Sequence, residues 1–307
     1  LAKEVAGKQA DLESEGPLLA IQVEHEWTCG AIEDGRSYLD ELIRLARERG
    51  FSVPVIMANN FWQDIDESIE TWIGWDDLLA NLRQVRSLQP DKPRIAVLSC
   101  NENDIYRSHS GKNMELDGVD LMQRIGEVVA TGGHPIVDDA VKGIHARGTA
   151  GADENGSLAT VSTARSLISE TGESTTNSGF VSRLTSFCSN FPSVLADLDP
   201  NQQSVTLDLH DSPKNSGPAI LGSNGECGNI TWAFRGGDQK ECTVLMANGL
   251  RMPIRFGDSP LAWLVNDLDL NGGGRLDYAN VPPYALIKRS VLVLQGPPKT
   301  SVHLSID

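Results

Sequence analysis

The sequence predicts an α/β protein: a parallel sheet of about five strands, then a module built of antiparallel strands. Two textures in the chain carry that expectation. In the first part, short apolar runs end abruptly in polar clusters and alternate with stretches of helical periodicity, the pattern of strands buried on both faces and joined by helices. Past Pro200 the helical periodicity fades, and short β-type runs are punctuated by Asn-Gly and Gly-Gly dipeptides. A boundary near residue 200 is implied, dividing the chain into 1–199 and 200–307.

Taken in order, residues 1–15 are polar with helical spacing. The run Leu18 to Ile21 and Val23, bounded by Gly16-Pro17, reads as the first strand, and it stops at Glu24-His25-Glu26-Trp27. Two carboxylates, an imidazole and an indole are poor packing choices but suit a catalytic mouth, because parallel α/β barrels place their chemistry at the carboxyl ends of their strands. From Tyr38 to Arg49 the stripe Leu39, Leu42, Ile43, Leu45 and Ala46 makes an amphipathic helix, closed by Gly50. Val53 to Ala58 is the next strand and ends at Asn59-Asn60. A weaker strand lies near Ile69–Trp72. Asp76-Asp77 cap a helix carrying Leu78, Leu79, Leu82 and Val85. Ile95 to Leu98 is a strand, Leu121 to Ala130 a helix ended by Gly132-Gly133, and His134 to Ala140 the last strand. After a Gly-, Ser- and Thr-rich stretch, Phe180 to Phe191 is helical. The later β-type runs are Val205–Leu209, Ile230–Phe234, Thr243–Met246, Met252–Phe256 and Val291–Leu294, with turns at Asn224-Gly225, Asn248-Gly249 and Asn271-Gly272.

Charge narrows the function. With 26 basic against 42 acidic residues, net −16, the surface repels phosphate backbones and anionic membranes, which argues against a nucleic-acid partner. No stretch approaches the roughly 20 apolar residues a membrane span requires. The five cysteines lack metal-ligand spacing, and no HExxH or phosphate-loop context appears, so neither a metal nor another cofactor is expected. Cys227 and Cys242 flank two strand-like runs, and a bridge or two reduced buried thiols suit them equally.

Gly16-Pro17 through Trp27 resembles the segment G-G-P-I-I-x-x-Q-V-E-N-E-Y of the family 35 glycoside hydrolases, the β-galactosidases. In that family the segment ends the fourth strand of a (β/α)8 TIM barrel. The resemblance runs in family order over roughly residues 1–195. Val53 to Asn59 is similar to V-P-L-F-T-N, Lys92-Pro93 to the start of K-P-x-M-x-x-E, Lys142 to Ala152 to a G-G-T-N-F-G-F-T-A-G-A loop, and Ile168 to Glu173 to A-P-I-S-E-A-G-E. It implies barrel strands four to eight followed by a β-sandwich, with Glu26 as acid/base and Glu24, His25, Trp27, Asn59 and His145 against the sugar. The family's first three strands would precede Leu1, so another chain or an N-terminal fragment would complete the barrel.

The departures fall on functional positions. His25 replaces the family's Asn, Trp27 its Tyr and His145 the Asn of the G-G-T-N loop. Ungapped counting puts Leu98 on the nucleophile, which leaves Glu102 as the candidate if the strand end is re-registered. Two readings stay open. One is a retaining β-galactosidase-like hydrolase using two carboxyl groups about 5–5.5 Å apart. The other is a catalytically degenerate homologue acting as a carbohydrate-binding or assembly subunit.

Overall fold

The computed structural model describes residues 2–10, 16–25, 27, 34–60, 63, 65–74, 78–89, 91–100, 118–138, 140–141, 145–146, 160–161, 166–169, 171–198, 205–207, 219–246, 249–270 and 273–307. The chain divides into two compact units, Leu1–Leu98 with Gly133–Ile136, and Ser99–Gly132 with Val137–Asp307. The boundary expected near residue 200 falls on residues 199–204, outside the described residues.

The first unit is built on a parallel sheet. After a short helix α1 (Ala2–Ala6) come β1 (Ile21–Glu24), α2 (Gly35–Glu48), β2 (Val55–Met57), β3 (Ser68–Ile73), α3 (Leu78–Leu88) and β4 (Ile95–Ser99), and, beyond α4 (Gly118–Ala130), β5 (His134–Asp138). The strands lie in the order β1-β2-β3-β4-β5. Pairing is parallel from β1 to β4, with Ile21 beside Val55, Val55 beside Ser68 and Thr71 beside Ile95. The backbone bonds from His134 N–H to Arg94 O (2.7 Å) and Cys100 N–H to Asp138 O (3.0 Å) advance together, so β5 is parallel to β4. Strands that neighbour one another in chain order, with no reversal, are the arrangement of a (β/α)8 barrel, whereas a doubly wound sheet reverses at a switch point. The expected partial TIM barrel is therefore what forms.

The two faces of this sheet are dressed differently. Val55 and Met57 point to α2, where they pack with Leu39, Ile43 and Ile65, and with Ile21, Val23, Leu42 and Trp27 at the margin. Of the stripe its periodicity predicts, Leu39, Leu42 and Ile43 pack there, whereas Leu45 is exposed on the rim of the helix; Gly50 ends the helix in the left-handed region at φ 91°. Alternation sends Ile56, Ala58, Ile73 and Val97 to the opposite face, the one a closed barrel turns inward; Ala58, Ile73 and Val97 cluster there. Gln9 ties the chain start to this layer, accepting from the N–H groups of Ser52 (2.6 Å) and Val53 (3.0 Å) and donating to the carbonyls of Ala6 and Gly50.

The first strand differs from expectation. It begins at Ile21, not Leu18, and Leu18 makes only an isolated bridge to Gln9. Leu19 is 73% exposed, so this run is not buried on both faces. Leu19 precedes β1, which is an edge strand of the sheet among the described residues.

The second unit holds α4 and the remaining elements. Two short strands, β6 (His145–Ala146) and β7 (Thr160–Val161), pair with each other. The helix expected at 180–191 forms as α5 (Thr176–Asn190), capped by Thr175 Oγ1 accepting from Ser178 N–H, and Pro192 opens α6 (Pro192–Asp197). Then come β8 (Val205–Leu207), β9 (Ala219–Gly225), β10 (Gly228–Phe234), β11 (Glu241–Met246), β12 (Arg251–Arg255), β13 (Leu261–Asp269), β14 (Arg275–Ala279), β15 (Pro283–Ile287), β16 (Val291–Leu294) and β17 (Leu304–Ile306). One antiparallel sheet has the order β17-β14-β13-β10-β9 and another β12-β11-β8, with β15-β16 a separate hairpin.

The larger sheet is covered on both faces. On one, Ala233 and Leu264 pack with Val244, Met252, Ile254 and Phe256 of the smaller sheet and its flank, as a sandwich requires. On the other lie helices: Phe187 of α5 stands 5.5 Å from Trp263 and 6.4 Å from Trp232, whose rings are 6.0 Å apart. Gly126 of α4 lets that helix close on Leu261, whose Cδ2 would lie 2.3 Å from a β-carbon there. The turn expected at Asn224-Gly225 lies two residues later. Gly225 pairs with Gly228, so Glu226-Cys227 is the tip, and Asp197 Oδ2 holds the Cys227 N–H at 3.0 Å.

Cys227 and Cys242 are both free thiols, and so is Cys188. Burial pushes Cys188 up to about 11 and Cys242 up to about 12. The thiolate is the nucleophile, so both should alkylate with iodoacetamide at least about tenfold more slowly than a small-molecule thiol at mildly alkaline pH. Stoichiometric labelling of Cys242 at the small-molecule rate contradicts its buried setting. Among the described residues no helix is long and apolar enough to cross a membrane.

Candidate barrel-mouth site

The carboxyl ends of β1, β2 and β3 gather most of the residues that the sequence singles out and that the structure describes. The first determinant is a bulge. Gln22 pairs with Ile56 but Glu24 with Met57, so Val23 is an extra residue in β1. Glu24 is thereby level with Met57, on the side that carries α2. Its Oε2 accepts from the Tyr38 hydroxyl of α2 at 2.8 Å, and its Oε1 from the His25 N–H at 2.8 Å. Trp27 goes the same way: its ring stacks on Tyr38 at 4.7 Å and 28°, against the α2 core. Its N–H donates to Ala58 O at 3.0 Å, carrying the chain on beside β2.

This contact has a spectroscopic consequence. The bond to Glu24, reinforced by the carboxylate's charge, raises the Tyr38 phenol above its ordinary value of 10.0. The contribution to stability is present below that value and is lost as pH rises through the raised one. In Glu24→Gln the phenolate absorbance of Tyr38 should appear at lower pH than in the parent. Identical titrations of the two proteins contradict the contact.

His25 stands apart from these two. It is exposed, and its Nδ1 lies 2.9 Å from Gln22 Nε2, which also donates to Glu24 O at 2.9 Å. Gln22 is level with Ile56, on the barrel-interior face. Sequence reasoning missed Gln22, although it stands at the Gln of the family segment.

Asn59 is 1% exposed: Nδ2 donates to Gln63 O at 2.9 Å and its N–H to Glu70 Oε1 at 2.8 Å, while its Oδ1 is buried with no hydrogen-bond partner among the described residues. Glu70 is a second residue the sequence does not reveal as important. It is 5% exposed in the middle of β3, level with Met57 and so on the helix-covered face. It positions Asn59 and does not line the barrel interior. Asn60, left-handed at φ 51°, donates its side-chain amide to Ile73 O and accepts from Ile73 N–H, both at 2.7 Å. That pair extends β3 with a side chain standing in for a strand.

Leu98, at the position counted to the family nucleophile, is 0% exposed. Glu26 and Glu102 both lie outside the described residues. His145 lies in β6 opposite Val161.

No protein-family model matches this chain. No curated protein matches it either. Among solved structures, the chain is similar to the ligand-free cyclic α-maltosyl-(1→6)-maltose hydrolase from Arthrobacter globiformis, at 10% sequence identity and a TM-score of 0.41. The match covers 75% of this chain and 59% of that one, so the chain spans less than two thirds of that hydrolase. A likeness of that degree decides nothing about substrate.

Proposed function

We propose that this chain is a glycosidase-like scaffold that has lost two-carboxylate hydrolysis and retains carbohydrate binding at the barrel mouth. The observation that carries the proposal is Leu98, wholly buried where the β-galactosidase pattern has its nucleophile. A leucine has no lone pair to attack an anomeric carbon, and a fully buried one leaves that strand end to packing. The setting of Glu24 agrees, since its carboxylate is occupied by Tyr38 and the His25 N–H. What the mouth still offers is hydrogen-bonding capacity: the exposed imidazole of His25, held by Gln22, is a partner for sugar hydroxyls.

In this reading the partner is a neutral carbohydrate of galactoside type. On the same reading, further strands from another chain or an N-terminal fragment cover the sheet edges that are unpaired among the described residues, since unpaired backbone groups would otherwise invite association. Calorimetric titration with galactose tests the binding. Saturable uptake, weakened at least about fivefold in His25→Ala, is the expected result. No uptake by the parent protein overturns it.

A retaining β-galactosidase is the second reading, favoured by one specific feature, the intact Glu26 of the family segment. It needs Glu26 as acid/base and Glu102 as nucleophile, with carboxyl groups about 5–5.5 Å apart.

A further inference from the structure

We propose that a cleft in the second unit, between Arg183 and Arg255, binds a small carboxylate, independently of any sugar at the barrel mouth. The cleft is shallow and opens where α5, the turn after β12, the segment leading into β15 and the 297–300 segment converge. Arg183 reaches it from α5 and Arg255 from the end of β12; Trp263, Pro282 and Pro297 are among its apolar walls.

Charge sets the cleft apart. In a protein with 42 acidic against 26 basic residues, none of the residues lining this cleft is acidic, and two are arginines. Each guanidinium is bonded to a carbonyl only, Arg183 Nη2 to Gln295 O at 3.4 Å and Arg255 Nη1 to Lys299 O at 3.0 Å. Among the described residues neither has a carboxylate partner, whereas Arg44, Arg124 and Arg275 all do. Arg183 is half-buried, with its Nε shielded from solvent and unpartnered among the described residues. Burial without a counter-charge holds its guanidinium below the ordinary arginine value.

A guanidinium taken partly out of water is stabilised most by a carboxylate, whose two oxygens match its planar fork. The apolar walls favour a monovalent, planar anion over a divalent phosphate, because the desolvation cost rises steeply with charge.

Equilibrium dialysis with radiolabelled acetate, at constant ionic strength set by sodium chloride, tests the proposal. Acetate should bind saturably at one site, at least about tenfold more weakly in Arg255→Gln, whose exposed position makes misfolding no concern. Arg183→Met strands no partner and should fold, and it too should lose the site. Uptake that does not saturate, uptake unchanged in both variants, or saturable binding of inorganic phosphate with acetate excluded would each overturn the carboxylate site.

Discussion

Replacing Trp232 with alanine should cost about 3–5 kcal/mol, the range for deleting a large aromatic from a core that cannot collapse around the void. Trp232 is 0% exposed on β10, and it is hemmed by Trp263 on β13 and Phe187 on α5. Both neighbours are anchored in their own elements, so neither can move in without distorting a sheet or a helix. The indole N–H has no hydrogen-bond partner among the described residues. The whole loss is therefore packing, and it separates two substitutions cleanly. Trp232→Phe removes an unsatisfied buried donor along with part of the ring, and should cost a small fraction of the alanine figure. Denaturant unfolding followed by near-ultraviolet dichroism measures both. Equal losses for Phe and Ala would mean that ring packing is not what Trp232 contributes.

Glu70→Leu should destabilise the first unit by about 1–3 kcal/mol, the cost of leaving a buried donor unpaired. The donor is the Asn59 N–H, which gives its bond to Glu70 Oε1 at the end of β2. Leucine fills much of the space and supplies no acceptor. Glu70→Gln keeps an acceptor oxygen and should recover most of the difference. The same comparison reads on the mouth, because Asn59, Asn60 and the adjoining end of β3 are locked together by side-chain bonds. Faster amide exchange at Asn59 and Ile73 in Glu70→Leu, but not in Glu70→Gln, is the expected local signature. Equal exchange in both variants contradicts the positioning role.

These two residues also mark the limits of what the sequence discloses. The α2 stripe and β2 are legible because period and run length leave one interpretation. β3 is faint in the sequence because Ser68 and Glu70 interrupt its apolar run on the face where they are buried, and only a fold that supplies Glu70 with a donor makes sense of a carboxylate there. β13, Leu261 to Asp269, is the longest strand among the described residues, and it is not among the β-type runs read from the sequence, although Leu261 to Val265 is an unbroken apolar run. Its start is buried on both faces, by helices on one side and a second sheet on the other, so it shows no alternation to distinguish it from a buried helical turn. That helices cover the antiparallel sheet is equally hidden, since Phe187 is only an apolar position in a periodic pattern until Trp232 and Trp263 are placed beneath it.

At the candidate site, the cluster at the end of β1 is legible in the sequence and its orientation is not. One extra residue, Val23, turns Glu24 and Trp27 toward α2, while Gln22 holds His25 on the other side. Nothing in Glu24-His25-Glu26-Trp27 announces a bulge, because it is a property of pairing with β2, and pairing is invisible in a single strand. Leu98 is legible as a departure from the glycosidase pattern, and its complete burial gives that departure physical weight.

Whether the attacking carboxylate has been lost decides between a binding protein and an enzyme. Release of nitrophenol from a nitrophenyl β-galactoside, by the parent protein and by Glu26→Gln side by side, tests this most directly. Neither protein should exceed the uncatalysed rate. Turnover by the parent that falls by about 10²-fold or more in Glu26→Gln would contradict the loss, and would mean that a general acid and a nucleophile both remain at work.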